Sequence, residues 1–127
     1  MPGAPRERWL VELPAMRHLA LDSDQIPTGP EEALAERSFE LAGHEFDDGF
    51  DAVAEPARFA VAAAARRVTL EFLHGYPCAQ VFAPKGGQFI CFEPMTAPAN
   101  ALRSGAGLRL LAPGERHTAA FSVSVRG

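Results

Sequence analysis

An all-β fold, an antiparallel β-sandwich, is what this sequence predicts. Three observations carry that reading. Apolar residues recur mostly with a period of two. The strand-like runs are short and recur about every eight to twelve residues. Proline and glycine, eleven of each, fall between them. The chain has 127 residues, which fits one domain spanning 1–127, and its 47% hydrophobic content is enough for one core.

Taken in order, Arg8 to Pro14 (RWLVELP) reads as a strand closed by proline. His18 to Asp22 (HLALD) alternates and runs into SDQIPTGPEE, where Pro27, Gly29 and Pro30 predict a turn or loop. Pro30 also suits a first helical position, so a short helical turn is expected around PEEALAER. The segment DAVAEPARFAVAAAARR is rich in alanine, a helix former. Pro56 cuts it, and the residues left over make too short a helix to stand alone. A hairpin is therefore expected, RFAVA turning into RRVTLEF, where Val68, Leu70 and Phe72 alternate with Thr69 and Glu71. CAQVFA and QFICFE follow as strands split by a turn at Pro84 to Gly87. GLRLLAPGERHTAAFSVSVRG is expected to form two strands around Ala112 to Glu115, with Phe121, Val123 and Val125 sharing one face of the last.

Charge narrows the partners. The formal charge is −4, lysine occurs once (Lys85), and the arginines are scattered. Nucleic acid and anionic membrane are poor partners for such a chain. Cys78 and Cys91 form no CxxC pair and no histidine accompanies them, so no metal site is expected. The opening residues lack a signal-peptide apolar region, and no run approaches the ~18 apolar residues that span a bilayer. A reduced, cytoplasmic setting is expected.

Glu93 is the residue that asks for an explanation. It interrupts the apolar run FICFEPM and is followed at once by Pro94. A carboxyl buried there would lose solvation, its pKa would rise above the ~4.3 reference, and it could serve as a general base. The alternatives are an ion pair with Arg17 or Arg67, or an exit from the sheet edge into water. In HEFDDGFDAV, Asp47, Asp48 and Asp51 lie close together. They could hold a cation or a polyol, or form an aspartate-rich turn. The four histidines, His18, His44, His74 and His117, stand in no motif; surface or packing roles are the simpler reading. Asn100 and Thr96 read as residues that fix a loop. Trp9 and Tyr76 read as core at least as well as sugar-stacking rings.

The segment FICFEPMTAPANALRSGAGLRLLAPGERHTAAFSV resembles the closing part of the aldose 1-epimerase (galactose mutarotase) family. There a strand ends in Glu-Pro, an Asn-containing loop follows, and a PGE turn precedes the last strand. LDSDQIPTGPEE, EFDDGF and GYPCAQVFAP resemble other family segments in the same order, so the likeness runs from about Val11 to Val125. The resemblance implies part of a mutarotase-like β-supersandwich that interconverts the α and β anomers of aldoses. A glutamate takes the proton of the C1 hydroxyl, and a histidine protonates the ring oxygen. The glutamate maps to Glu93. The substrate-binding aspartate maps to Asp47, with Asp48 next if the register differs by one. The implied partner is a monosaccharide, an aldohexose such as glucose or galactose, and no cofactor is implied. The family's His-Pro motif and substrate arginine, which lie in its N-terminal part, have no counterpart here. The resemblance thus implies exposed sheet edges, and either a homo-oligomer or a complementary N-terminal half. The other readings are a non-catalytic carbohydrate-binding β module and a truncated, self-associating fragment.

Overall fold

The structure, a computed structural model, describes residues 3–127; the first two residues of the expected 1–127 domain lie outside the described residues. A 3-10 turn at Arg6–Arg8 precedes ten strands: β1 (Leu10–Leu13), β2 (Met16–Leu21), β3 (Pro27–Leu34), β4 (Arg37–Glu40) and β5 (Phe46–Asp51), then β6 (Ala57–Ala63), β7 (Arg66–His74), β8 (Cys78–Ala83), β9 (Cys91–Met95) and β10 (Ala120–Arg126). One helical turn, α1 (Ala101–Ser104), lies between the last two. The strands form two five-stranded antiparallel sheets, ordered β10-β7-β6-β1-β4 and β3-β2-β5-β8-β9. The all-β sandwich is what the period of two predicts.

That period also builds the core, because alternate residues of a strand point to opposite faces. Val11 and Leu13 of β1, Phe59 and Val61 of β6, and Phe72 of β7 point inward from the first sheet. Phe46 and Phe50 of β5, with Ala79, Val81 and Ala83 of β8, meet them from the second. Phe59 closes the layer: its ring centroid lies 4.7 Å from Phe72 in its own sheet and 5.5 Å from Phe92 in the opposite one. Arg6 is buried too, donating to the carbonyls of Ala42, His44 and Ala83, and so pins the chain's start to the second sheet. The β6–β7 hairpin forms as expected, with Ala63 opposite Arg66. Beyond β7, Gly75 sits at φ +83°, and a Cβ there would lie 2.6 Å from the Thr118 carbonyl oxygen. Glycine therefore lets the segment leading into β10 pass close by.

Four expectations are corrected. Pro27, Gly29 and Pro30 do not form a loop; they belong to β3, paired with β2 from Leu34 opposite Met16. Proline is tolerated there because β3 is an edge strand. For the same reason PEEALAER is not helical: Glu31–Leu34 is extended along β2, and Arg37–Glu40 is β4. The aspartates of EFDDGF lie in strand β5, not in a turn. Finally, the closing segment supplies one strand, not two. Gly107 to Thr118 contains no strand, its leucines pair with neither sheet, and Leu110 is 81% exposed. His117 therefore lies outside any strand.

Candidate functional site

The second sheet has one face on the core and one turned outward, and register decides which side chain goes where. Val81 of β8 is fully buried, so its neighbours Gln80 and Phe82 point outward. Gln80 lies opposite Gly49 of β5 and Glu93 of β9, and Gly49 lies opposite Leu19 of β2, itself opposite Glu31 of β3. Glu31, Leu19, Gly49, Gln80 and Glu93 thus form one row across all five strands, on the outward face. Asp47, two residues before Gly49, shares that face, and its Oδ1 accepts a hydrogen bond from Gln80 Nε2 at 2.9 Å.

Asp47 and Glu93 are therefore brought together on one side of the sheet. Two strand spacings and a two-residue offset put their Cα atoms roughly 12 Å apart. Two carboxylate side chains reaching up from that distance can flank a hexose. Asp48 is not with them. It lies on the opposite face beside Val81, where its Oδ1 meets His18 Nε2 at 2.9 Å. His18 in turn packs on core residue Phe50.

Glu93 is exposed, which corrects the burial suggested by its apolar neighbours. Phe92 takes the inward position and packs on Phe59, so the next residue necessarily turns out. The ion pairs expected for it are made elsewhere: Arg67 binds Glu12, and Arg17 binds Asp51 and Glu31. Among the described residues, Glu93 has no salt bridge. Asp47 and Glu93 look onto an open face rather than into an enclosed pocket.

Beside this row, the Pro98–Gly107 loop lies along the outward face and borders a half-open cavity of about 390 Å³. Leu19, Glu31, Asp51, Cys78, Asn100 and Ser104 are among its walls. Asn100 adopts a left-handed conformation (φ 63°) just ahead of α1, which shapes that loop. Arg17 donates to both oxygens of Asp51 at 2.7 and 2.6 Å and reaches Glu31 at 2.6 Å. These bonds to carboxylates hold the guanidinium even more firmly protonated than usual. Burial, reinforced by the nearby Asp51 charge, pushes the Cys78 thiol up to about 11. Both cysteines are free.

The histidines stand away from the Asp47–Glu93 face. His18 is on the inner side, His44 packs on Phe39 and Phe46, His74 ends β7, and His117 borders a broad hollow with Arg116 and Thr96. Trp9 is buried in the core, and Tyr76 packs on Phe72 and Phe121. Gln80 is the site residue that reading the sequence overlooked. Its signal was a lone amide at the centre of the apolar strand CAQVFA. Among the described residues, no group of three or more His, Cys, Asp or Glu could hold a metal ion, and no helix is long and apolar enough to cross a membrane.

The family model described as aldose 1-epimerase matches residues 6–124, nearly the whole chain. The chain belongs to the aldose 1-epimerase family. A comparison with curated proteins gave no match. Membership ties this fold to a mutarotase-like, carbohydrate-related function and to a sugar as the class of substrate. On the outward face of this family member, Gln80 stands between Glu93 on one neighbouring strand and Gly49 on the other, and bonds to Asp47.

Proposed function

We propose that the chain binds an aldose on the outward face of its second sheet and that Glu93 takes the proton from the sugar's C1 hydroxyl. The observation that carries this reading is the shared face of Asp47, Gln80 and Glu93. Asp47 spends one oxygen on Gln80 and keeps the other for a sugar hydroxyl. The Gln80 carbonyl can accept a second hydroxyl. Both fix the ring so that Glu93 meets the anomeric position.

The chemistry then balances as follows. Glu93 accepts the C1 hydroxyl proton, the C1 carbonyl forms, and the bond from C1 to the ring oxygen breaks. The ring oxygen takes a proton from water, because no described histidine stands on this face. Rotation about C1–C2 presents the other carbonyl face, and the reverse steps close the opposite anomer and return the proton from Glu93. A positioned general base contributes ~10²–10⁴-fold. A proton donor brought by a partner chain would add to that.

The absence of a histidine on this face favours a second reading, a carbohydrate-binding module without catalysis. Polarimetry on freshly dissolved α-D-glucose or α-D-galactose separates the two. Mutarotation faster than buffer supports the enzyme. A rate equal to buffer removes catalysis by this chain, and sugar titration followed by NMR then decides: shifts at Asp47, Gln80 and Glu93 keep the binding module, and none removes both readings.

A further inference from the structure

The two sheets end in four edges, and three of them carry features that block further pairing. β3 contains Pro27 and Pro30 with Glu31 and Glu32; β4 has only four residues, with Arg37 and Glu40 at its ends; β9 contains Pro94 and the charge of Glu93. Proline removes a backbone donor, and charge or shortness discourages a second chain. β10 has none of these. It runs for seven residues, Ala120–Arg126, without proline and with its single charge at the last position. Its neighbour β7 covers one side only.

Its inner face is uncovered as well. Phe121, Val123 and Val125 lie opposite Phe72, Leu70 and Val68, which places them on the core side of the sheet. Yet they are 48%, 58% and 67% exposed. Ser122 and Ser124 occupy the other face and border a shallow polar hollow with Arg58, Arg67 and Arg126.

The sequence of β10 identifies the occupant. Read about Val123, FSVSV has the same polarity pattern in both directions. We propose that β10 pairs antiparallel with β10 of a second copy of this chain, on a two-fold axis through Val123. Phe121 then faces Val125 of the second copy, Val123 faces Val123, and Ser122 faces Ser124. Arg126 faces Ala120, so no like charges meet. A slip of one residue would set Val123 against Ser122 or Ser124 and turn the two copies' apolar residues to opposite faces of the sheet, which the alternation disfavours. Closed two-fold pairing of this kind needs one self-complementary patch, and β10 is one. The first sheet becomes a ten-stranded sheet running through both copies.

The test is the mass of the full chain by analytical ultracentrifugation at micromolar concentration. The expected result is twice the 13.6 kDa of one chain. Val123→Lys sets two ammonium groups face to face on the axis and should return a folded monomer. Should that variant misfold, Val125→Lys, at a more exposed position, sets an ammonium group against Phe121 of the second copy at both ends of the pairing and should weaken the dimer as well. Directly opposed residues have Cα atoms ~4.5–5.5 Å apart, within disulfide reach. Val123→Cys, with Cys91→Ala, should therefore form a covalent dimer under mild oxidation, and Ser122→Cys much less, since it meets Ser124 rather than itself. A monomeric wild-type chain overturns the proposal. So does a dimer that folded Val123→Lys and Val125→Lys both leave intact, or cross-linking of Ser122→Cys as efficient as that of Val123→Cys.

Discussion

Replacing Phe59 by alanine tests how the two sheets close on each other. Phe59 has no solvent exposure, and its ring touches Phe72 in its own sheet and Phe92 in the other, with centroids 4.7 and 5.5 Å away. Removing a buried phenylalanine costs ~3–5 kcal/mol for transfer and cavity together. Aromatic pairs at these separations add ~0.5–1.5 kcal/mol each, which places this site at the top of that range, at about 4–5 kcal/mol. A chain of 127 residues has a total stability of about 6–19 kcal/mol, so the loss is a large share of it. Urea unfolding followed by far-ultraviolet circular dichroism, at matched protein concentration, reads the loss. With m ~1–3 kcal/mol/M, the midpoint should fall by about 2 M while m stays constant. Phe89→Ala serves as the contrast: Phe89 is 45% exposed, and the change should cost about 1 kcal/mol or less. A Phe59→Ala loss no larger than that of Phe89→Ala would refute the claim that Phe59 joins the sheets.

Other outcomes follow from the same geometry. Cys78, 4% exposed with its thiol pushed up to about 11, stays neutral at pH 8; iodoacetamide should label Cys91 first and Cys78 only on unfolding, and equal labelling of the folded chain would contradict its burial. The Arg67 guanidinium grips Glu12 through both oxygens and lowers its carboxyl below the ordinary 4.5. A lowered folded pKa gives stability that is present above the ordinary value and fades as pH falls through the folded one. The gap in thermal midpoint between wild type and Glu12→Gln should therefore be widest near neutrality and narrow below pH 4.5; a gap independent of pH would count against the pair. Asp47→Asn keeps the contact with Gln80 but removes the charge, so KM for an aldose should rise with kcat little changed. An unaltered KM would move the sugar contact away from Asp47.

How much of this was legible in the sequence differs from strand to strand. β7 sets Val68, Leu70 and Phe72 against Thr69 and Glu71, so its residues announce their orientation, whereas β8 is apolar nearly throughout and its sequence does not. β3 hid behind its prolines: on an edge, an absent donor has no partner to disappoint, so a turn signal sits inside a strand. Leu108, Leu110 and Leu111 looked like a strand, but pairing is a long-range property, and no neighbouring edge receives them. Glu93 was legible as a chemical oddity, yet its apolar neighbours suggested burial. The period of two, applied to Phe92, would have placed it outward. Asp47 and Asp48 could not be told apart from composition; only the pairing with β8 sends one to Gln80 and the other to His18.

Glu93→Gln tests the proposed chemistry most directly. Glu93 is exposed, so the substitution should leave the fold's circular dichroism and thermal midpoint unchanged. Polarimetry on α-D-galactose should then show the chain's acceleration over buffer reduced to the buffer rate. Acceleration equal to wild type in the folded variant would contradict Glu93 as the base.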